Sequence, residues 1–139
     1  MSTPAVRLRV FVVEDDPDTR TALMMYLRHL GHDAACACSF GEAVTALTQS
    51  RHDVLIADIG LGDGSGWDLI PHLRSLGVEP PPVAVAMSGF GMSEDHTRSR
   101  KAGFAAHLLK PFDAARLKAL LTDVTTESTA QRPGDLRAD

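Results

Sequence analysis

Four apolar runs in this chain each end on a residue able to do chemistry. VFVV is followed by Glu14-Asp15-Asp16, VLIA by Asp58, VAVAM by Ser88 and HLL by Lys110. After Asp58 the sequence reads IGLGDGSG, which places glycine at four of the next eight positions. Clustered carboxylates repel one another unless a proton or a cation lies between them. Magnesium suits such a cluster, because it takes hard oxygen ligands, keeps several waters and accepts a phosphoryl oxygen. An aspartate beside that ion can attack phosphorus and form an aspartyl phosphate. Lysine then supplies a point charge to the added phosphoryl oxygens, and a serine hydroxyl donates a hydrogen bond to one of them. Gly60, Gly62 and Gly64 are expected to keep Asp58 accessible and to let a backbone carbonyl reach the metal.

The elements needed to bring these groups together alternate regularly. Leu8–Val13, Ala34–Cys38, Asp53–Asp58, Val83–Ser88 and Phe104–Leu109 read as strands. The second is weak, and the unbroken apolar third run predicts cover on both faces. Helices are predicted from Pro17 to Leu30, closed by Gly31, and from Ser39, with Glu42 completing a capping box. A third helix runs from Ser65 to Leu76, where Pro71 must kink it or delay its start. The fourth spans Ser93 to Gly103, and Asp113 caps a last one ending near Val124. Five strand–helix units imply an α/β domain whose parallel sheet carries helices on both faces. Ligands in such domains sit beyond the carboxyl ends of the strands, where all the groups named above fall.

The expected organisation is an N-terminal extension over residues 1–7, one domain over 8–124 and a polar, disordered tail over 125–139. The 139 residues suffice for a substantial core, and 44% hydrophobic with 23% charged content is ordinary for an α/β domain. A net charge of −4 gives no footprint for direct nucleic-acid binding. No run is long enough to span a membrane, and no signal-peptide core is present. Cys36 and Cys38 lack the spacing of a zinc site and are read as small buried hydrophobes in a reducing compartment.

In VFVVEDD, IADIGLGDGSG, AMSG and LLKPF, in that order and at strand ends, residues 8 to about 124 resemble a response-regulator receiver domain of two-component phosphorelays. The resemblance implies a doubly wound, flavodoxin-like five-stranded sheet of order 2-1-3-4-5. It implies that Asp58 is the phosphoacceptor and that Asp15, with Glu14, Asp58 and the Gly60 carbonyl, binds Mg2+. Ser88 is the implied switch hydroxyl and Lys110 the phosphoryl-binding lysine, joined to Pro111 by a cis bond. The implied donor is a histidine kinase or a histidine phosphotransfer protein. An unknown output partner would use the surface formed by helix four, strand five and helix five, and the protein would work in the cytoplasm. Asp16 is assigned to helix-terminal charge, with metal contact as its alternative, Asp63 to a turn and Asp68 to a first helical turn.

Two positions depart from the family pattern. Gly62 stands where receivers usually carry proline, so a more flexible loop is expected. His107 stands where an aromatic switch residue is common. It is either a half-buried polar residue or a smaller, titratable version of that switch. The stretch GFGMSEDHTRSRKAGF and the AHLLKP segment also resemble receivers fused to hybrid histidine kinases, so a stand-alone and a fused receiver both stay open, with Met1 favouring the former. A pseudo-receiver that only binds protein is the main alternative. A dehalogenase-type phosphatase would need an aspartate at Gly60, and a flavodoxin-like cofactor site would be repelled by Glu14-Asp15-Asp16.

Overall fold

A computed structural model describes residues 7–89, 93–110 and 112–125. Strands β1 (Arg9–Val13), β2 (Asp33–Ala37), β3 (Val54–Asp58), β4 (Val83–Ser88) and β5 (Ala106–Leu109) form one sheet of order 2-1-3-4-5. Every pairing in it is parallel. The alternation of elements predicts the parallel sheet, and the order is the doubly wound, flavodoxin-like one that the resemblance implies.

Helices α1 (Pro17–His29), α2 (Phe40–Gln49), α3 (Leu69–Ser75), α4 (Ser93–Lys101) and α5 (114–125) connect or follow the strands. Side chains alternate across the sheet with period two, so each strand feeds two cores. Val10, Val12, Val54, Ile56, Val85 and Met87 pack with Leu23 and Leu27 of α1 and Leu117 and Leu121 of α5. Phe11, Val13, Leu55, Ala57, Ala84 and Ala86 pack with Ala43 and Leu47 of α2 and Leu69, Ile70 and Leu73 of α3. β3 lies at the centre and is buried along its whole length, which explains its unbroken apolar run. No helix among the described residues is long and apolar enough to cross a membrane.

The helix starts follow local chemistry. Asp16 caps α1 by accepting from the Thr19 N–H at 2.9 Å, and Pro17 occupies the first turn. Ser39 caps α2, accepting from the Glu42 N–H at 3.1 Å. The expected capping box is altered: the Glu42 carboxylate reaches one residue further back and accepts from the Cys38 N–H at 3.0 Å. Pro71 delays its helix. Gly66–Asp68 form a 3₁₀ turn and α3 begins only at Leu69, leaving Pro71 in the first turn, where its missing N–H costs no helical bond. Asp113 caps α5, accepting from the Ala115 and Arg116 N–H groups.

One expectation fails. Cys36, on the edge strand β2 where most side chains are exposed or partly so, and Cys38, just past its end, are exposed, not buried. The Cys38 thiol lies 3.2 Å from Glu42 Oε1, and this contact pushes its pKa up. Most of the proposed tail and extension, and Pro111, where a cis bond is expected, lie outside the described residues.

Candidate functional site

The strand order reverses between β1 and β3, and their carboxyl ends present Glu14, Asp15 and Asp58 together. One oxygen from each of the three carboxylates lies within 4.8 Å of the others. Glu14 is fully buried, Asp58 is only 6% exposed and Asp15 is exposed. Asp16 is absent from this group, since its carboxylate is committed to Thr19 through both the N–H and the hydroxyl.

Lys110 reaches in from the end of β5, its own N–H donating to the Ser88 carbonyl at 2.8 Å. Its ammonium donates to Asp58 Oδ2 at 3.0 Å and lies 3.1 and 3.2 Å from the two Glu14 oxygens. Burial pulls the lysine pKa down, but the hydrogen bonds to Asp58 and Glu14 outweigh it, and the net shift is upward. Asp58 Oδ1 accepts from the Gly60 N–H at 3.1 Å. One cation thus serves two buried carboxylates, so the cluster is short of positive charge. Glu14 shows the consequence. Burial lifts its pKa from 4.5 to about 7 despite hydrogen bonds from the Asp16 N–H and Lys110, and its buried Oε1 has only the ion-pair contact with the Lys110 ammonium, with no hydrogen bond of its own. An all-oxygen set of three carboxylates, two of them buried and sharing a single ammonium, fits a small hard divalent cation.

The glycine run behaves differently from its predicted role. Gly60–Leu61 and Gly64–Ser65 pair as a two-residue antiparallel hairpin. The Asp63 carboxylate ties the hairpin to the start of α2, accepting from Phe40 N–H at 2.8 Å and Gly41 N–H at 3.1 Å. Asp63, beside Gly62, is therefore an anchor as well as a turn residue. The Asp58 side chain is not open: it is buried, with the Lys110 ammonium and the Gly60 N–H bonded to its two oxygens. The glycine that packing demands is Gly66, outside the set Gly60, Gly62 and Gly64 to which the sequence assigns a role. A Cβ there would collide with the backbone carbonyl of Asp58, whereas one at Gly60 would meet open space.

Ser88 and His107 stand one strand over. Ser88 follows Ala84 and Ala86 on one face of β4, and His107 pairs with Ala86 across the β4–β5 ladder. Both are buried, with Ser88 Oγ 2.8 Å from His107 Nε2. His107 is thus joined to the proposed switch serine, and it is not a half-exposed surface residue. Ser99 and Trp67, which also join this group, carried no motif in the sequence that could have marked them.

The family model for the response regulator receiver domain matches residues 10–122. The chain belongs to this family, the receiver domains of two-component signal transduction. It is 30% identical over 115 residues to an uncharacterized 14.6 kDa protein of Leptolyngbya boryana, covering 83% of this chain and 88% of that one. It is 36% identical to the probable transcriptional regulatory protein TcrX of Mycobacterium tuberculosis, covering 94% of this chain but 58% of TcrX. With the response regulator protein PilR of Pseudomonas aeruginosa it shares 32% identity, covering 83% of this chain and 25% of PilR. The chain therefore spans only part of these two named regulators. Among solved structures, a CheY-like receiver domain from Methylobacillus flagellatus superposes with a TM-score of 0.73 at 28% identity, over 86% of this chain and 99% of that one.

Proposed function

We propose that this receiver takes a phosphoryl group onto Asp58 from a phosphohistidine donor and switches partner binding in response. The observation that carries the proposal is the pairing at Asp58. Its carboxylate receives the Lys110 ammonium on one oxygen and the Gly60 N–H on the other, beside two further carboxylates. In the transfer, an Asp58 oxygen forms a bond to phosphorus as the donor's nitrogen–phosphorus bond breaks, and the leaving imidazole takes up a proton. Lys110 turns from bridging Glu14 and Asp58 to pairing with the new phosphoryl oxygens, and Ser88 donates its hydroxyl proton to one of them. Glu14, Asp15, Asp58 and the Gly60 carbonyl would hold Mg2+, which supplies positive charge that Lys110 alone does not provide.

The donor in this reading is a histidine kinase or histidine phosphotransfer protein. The output partner meets the surface of α4, β5 and α5. Phosphorylation acts by favouring one of two conformations, so its effect equals its differential stabilisation of the two.

A second reading, a pseudo-receiver that binds protein without phosphorylation, draws on the near-complete burial of the Asp58 side chain. Intact mass after incubation with acetyl phosphate and Mg2+ separates the two. The proposal expects one added phosphoryl group, and none when a chelator is present during the incubation. A folded sample that gains nothing favours the pseudo-receiver.

A further inference from the structure

A buried polar line leads away from Ser88 towards the surface. Ser88 Oγ lies 2.8 Å from His107 Nε2, and His107 Nδ1 lies 3.4 Å from Ser99 Oγ. The Trp67 indole N–H donates to Ser99 Oγ at 2.9 Å, and the Arg98 guanidinium stacks 4.0 Å from the centre of the Trp67 ring. His107 is 7% exposed and Ser99 3%, whereas Arg98 is exposed and Trp67 half-buried. Four separate elements contribute: β4, β5, α4 and the 3₁₀ turn that follows the Asp58 hairpin. Buried polar side chains persist where their hydrogen bonds are met, and such networks fix a single arrangement.

Imidazole gives this line a property that a phenyl ring lacks. When neutral it carries one N–H, so one ring nitrogen donates and the other accepts. Where Ser88 donates to Nε2, the ring proton is on Nδ1 and points to Ser99 Oγ. Where Ser88 turns its proton to another acceptor, the contact is kept only if Nε2 carries the proton. Nδ1 then becomes the acceptor, and the Ser99 hydroxyl, already receiving the Trp67 N–H, donates to it. The exchange between these two neutral forms balances: one nitrogen loses a proton to water and the other gains one.

We propose that Ser99 and Trp67 are positioning residues of the switch, holding the His107 ring so that the direction of the Ser88 hydrogen bond is passed to the Trp67–Arg98 stack. The inference rests on the reading of Asp58 as phosphoacceptor and of Ser88 as the hydroxyl that answers it. It places a phosphorylation-sensitive patch at the junction of α4 with the turn before α3.

Trp67 is the only tryptophan of the chain, so its indole N–H gives one assignable resonance. The test is nitrogen-15 NMR of Trp67 and of the imidazoles in the full chain, with acetyl phosphate and Mg2+. Intact mass measures the phosphorylated fraction of the same samples. The expected result is that the Trp67 resonance moves in proportion to that fraction while His107 passes from the Nδ1–H to the Nε2–H form. In Ser99→Ala, brought to an equal phosphorylated fraction by more donor, Trp67 stops responding, and Ser99→Thr restores the response. A Trp67 resonance that stays still in the phosphorylated wild type, or moves equally in Ser99→Ala, overturns the inference. Should Ser99→Ala not fold, His107→Phe keeps a ring without nitrogens and must silence Trp67 likewise. A wild type that gains no phosphoryl group defeats the reading of Asp58, and this inference with it. A phosphorylated wild type with an unresponsive Trp67 defeats this inference alone.

Discussion

Gly66→Ala is expected to destabilise the fold by about 3 kcal/mol, the upper part of the range for forced overpacking. For a domain of this size that is a fall of roughly 10 °C in melting temperature. The reason lies in what the new methyl group meets. It would strike the Asp58 carbonyl, and it would stand 2.9 Å from Ile59 Cα. Both are backbone atoms at the end of the central strand, and the Gly66 N–H is itself bonded to the Ile59 carbonyl at 2.8 Å. Neither side can yield by changing a rotamer, so the end of β3 must shift, and Asp58 with it. Gly60→Ala makes the control, since its Cβ would have nothing within 4 Å. Thermal melts of the two variants should separate widely. Equal melting temperatures would mean that the hairpin adapts and that Gly66 is not required.

The second large effect concerns Mg2+ and pH. Glu14 in the folded, metal-free chain has its pKa raised by burial from 4.5 to about 7. Between those values the folded state holds a proton that the unfolded state has lost, so stability falls as pH rises through the window. A cation entering the cluster takes the place of that proton, and metal affinity then rises with pH. Displacement of one proton from a group of this pKa gives a gain of about fifty-fold between pH 5 and 7, flattening above. Titration calorimetry over that range reads it directly. Glu14→Gln should bind more weakly and lose most of the slope, and a slope kept intact in that variant would assign the proton to another group.

How much of this was legible beforehand varies by residue. The alternation of strands and helices, the helix caps at Asp16, Ser39 and Asp113 and the late start of α3 follow from local rules of periodicity, capping and proline chemistry, whereas the strand order comes from the resemblance to receiver domains. The meeting of Glu14, Asp15, Asp58 and Lys110 follows from strand ends sharing one edge of a parallel sheet. Other features depend on contacts distant in sequence. Cys36 looked buried because its neighbours are apolar, yet β2 is an edge strand, and only topology reveals that. Gly66 was visible as a glycine, but its close approach to the Asp58 carbonyl depends on how the hairpin folds back. Ser99 reaches Trp67, 32 positions away, and lies on a helix whose polar sequence gives no cue to a buried serine. Asp63 reads as a turn residue from its glycine neighbours, whereas its bonds to Phe40 and Gly41 cross 23 and 22 positions.

The central claim is that Asp58 itself carries the phosphoryl group. An acyl phosphate is reduced by borohydride to the alcohol, which converts a phosphorylated aspartate to homoserine. After treatment with acetyl phosphate and Mg2+, then borohydride and trypsin, two peptides are decisive: residues 52–74, which contain Asp58, and residues 10–20, which contain Glu14, Asp15 and Asp16. The account predicts homoserine at position 58 alone, and none in Asp58→Asn. Homoserine at position 15 or 16, or label that persists in Asp58→Asn, would contradict it.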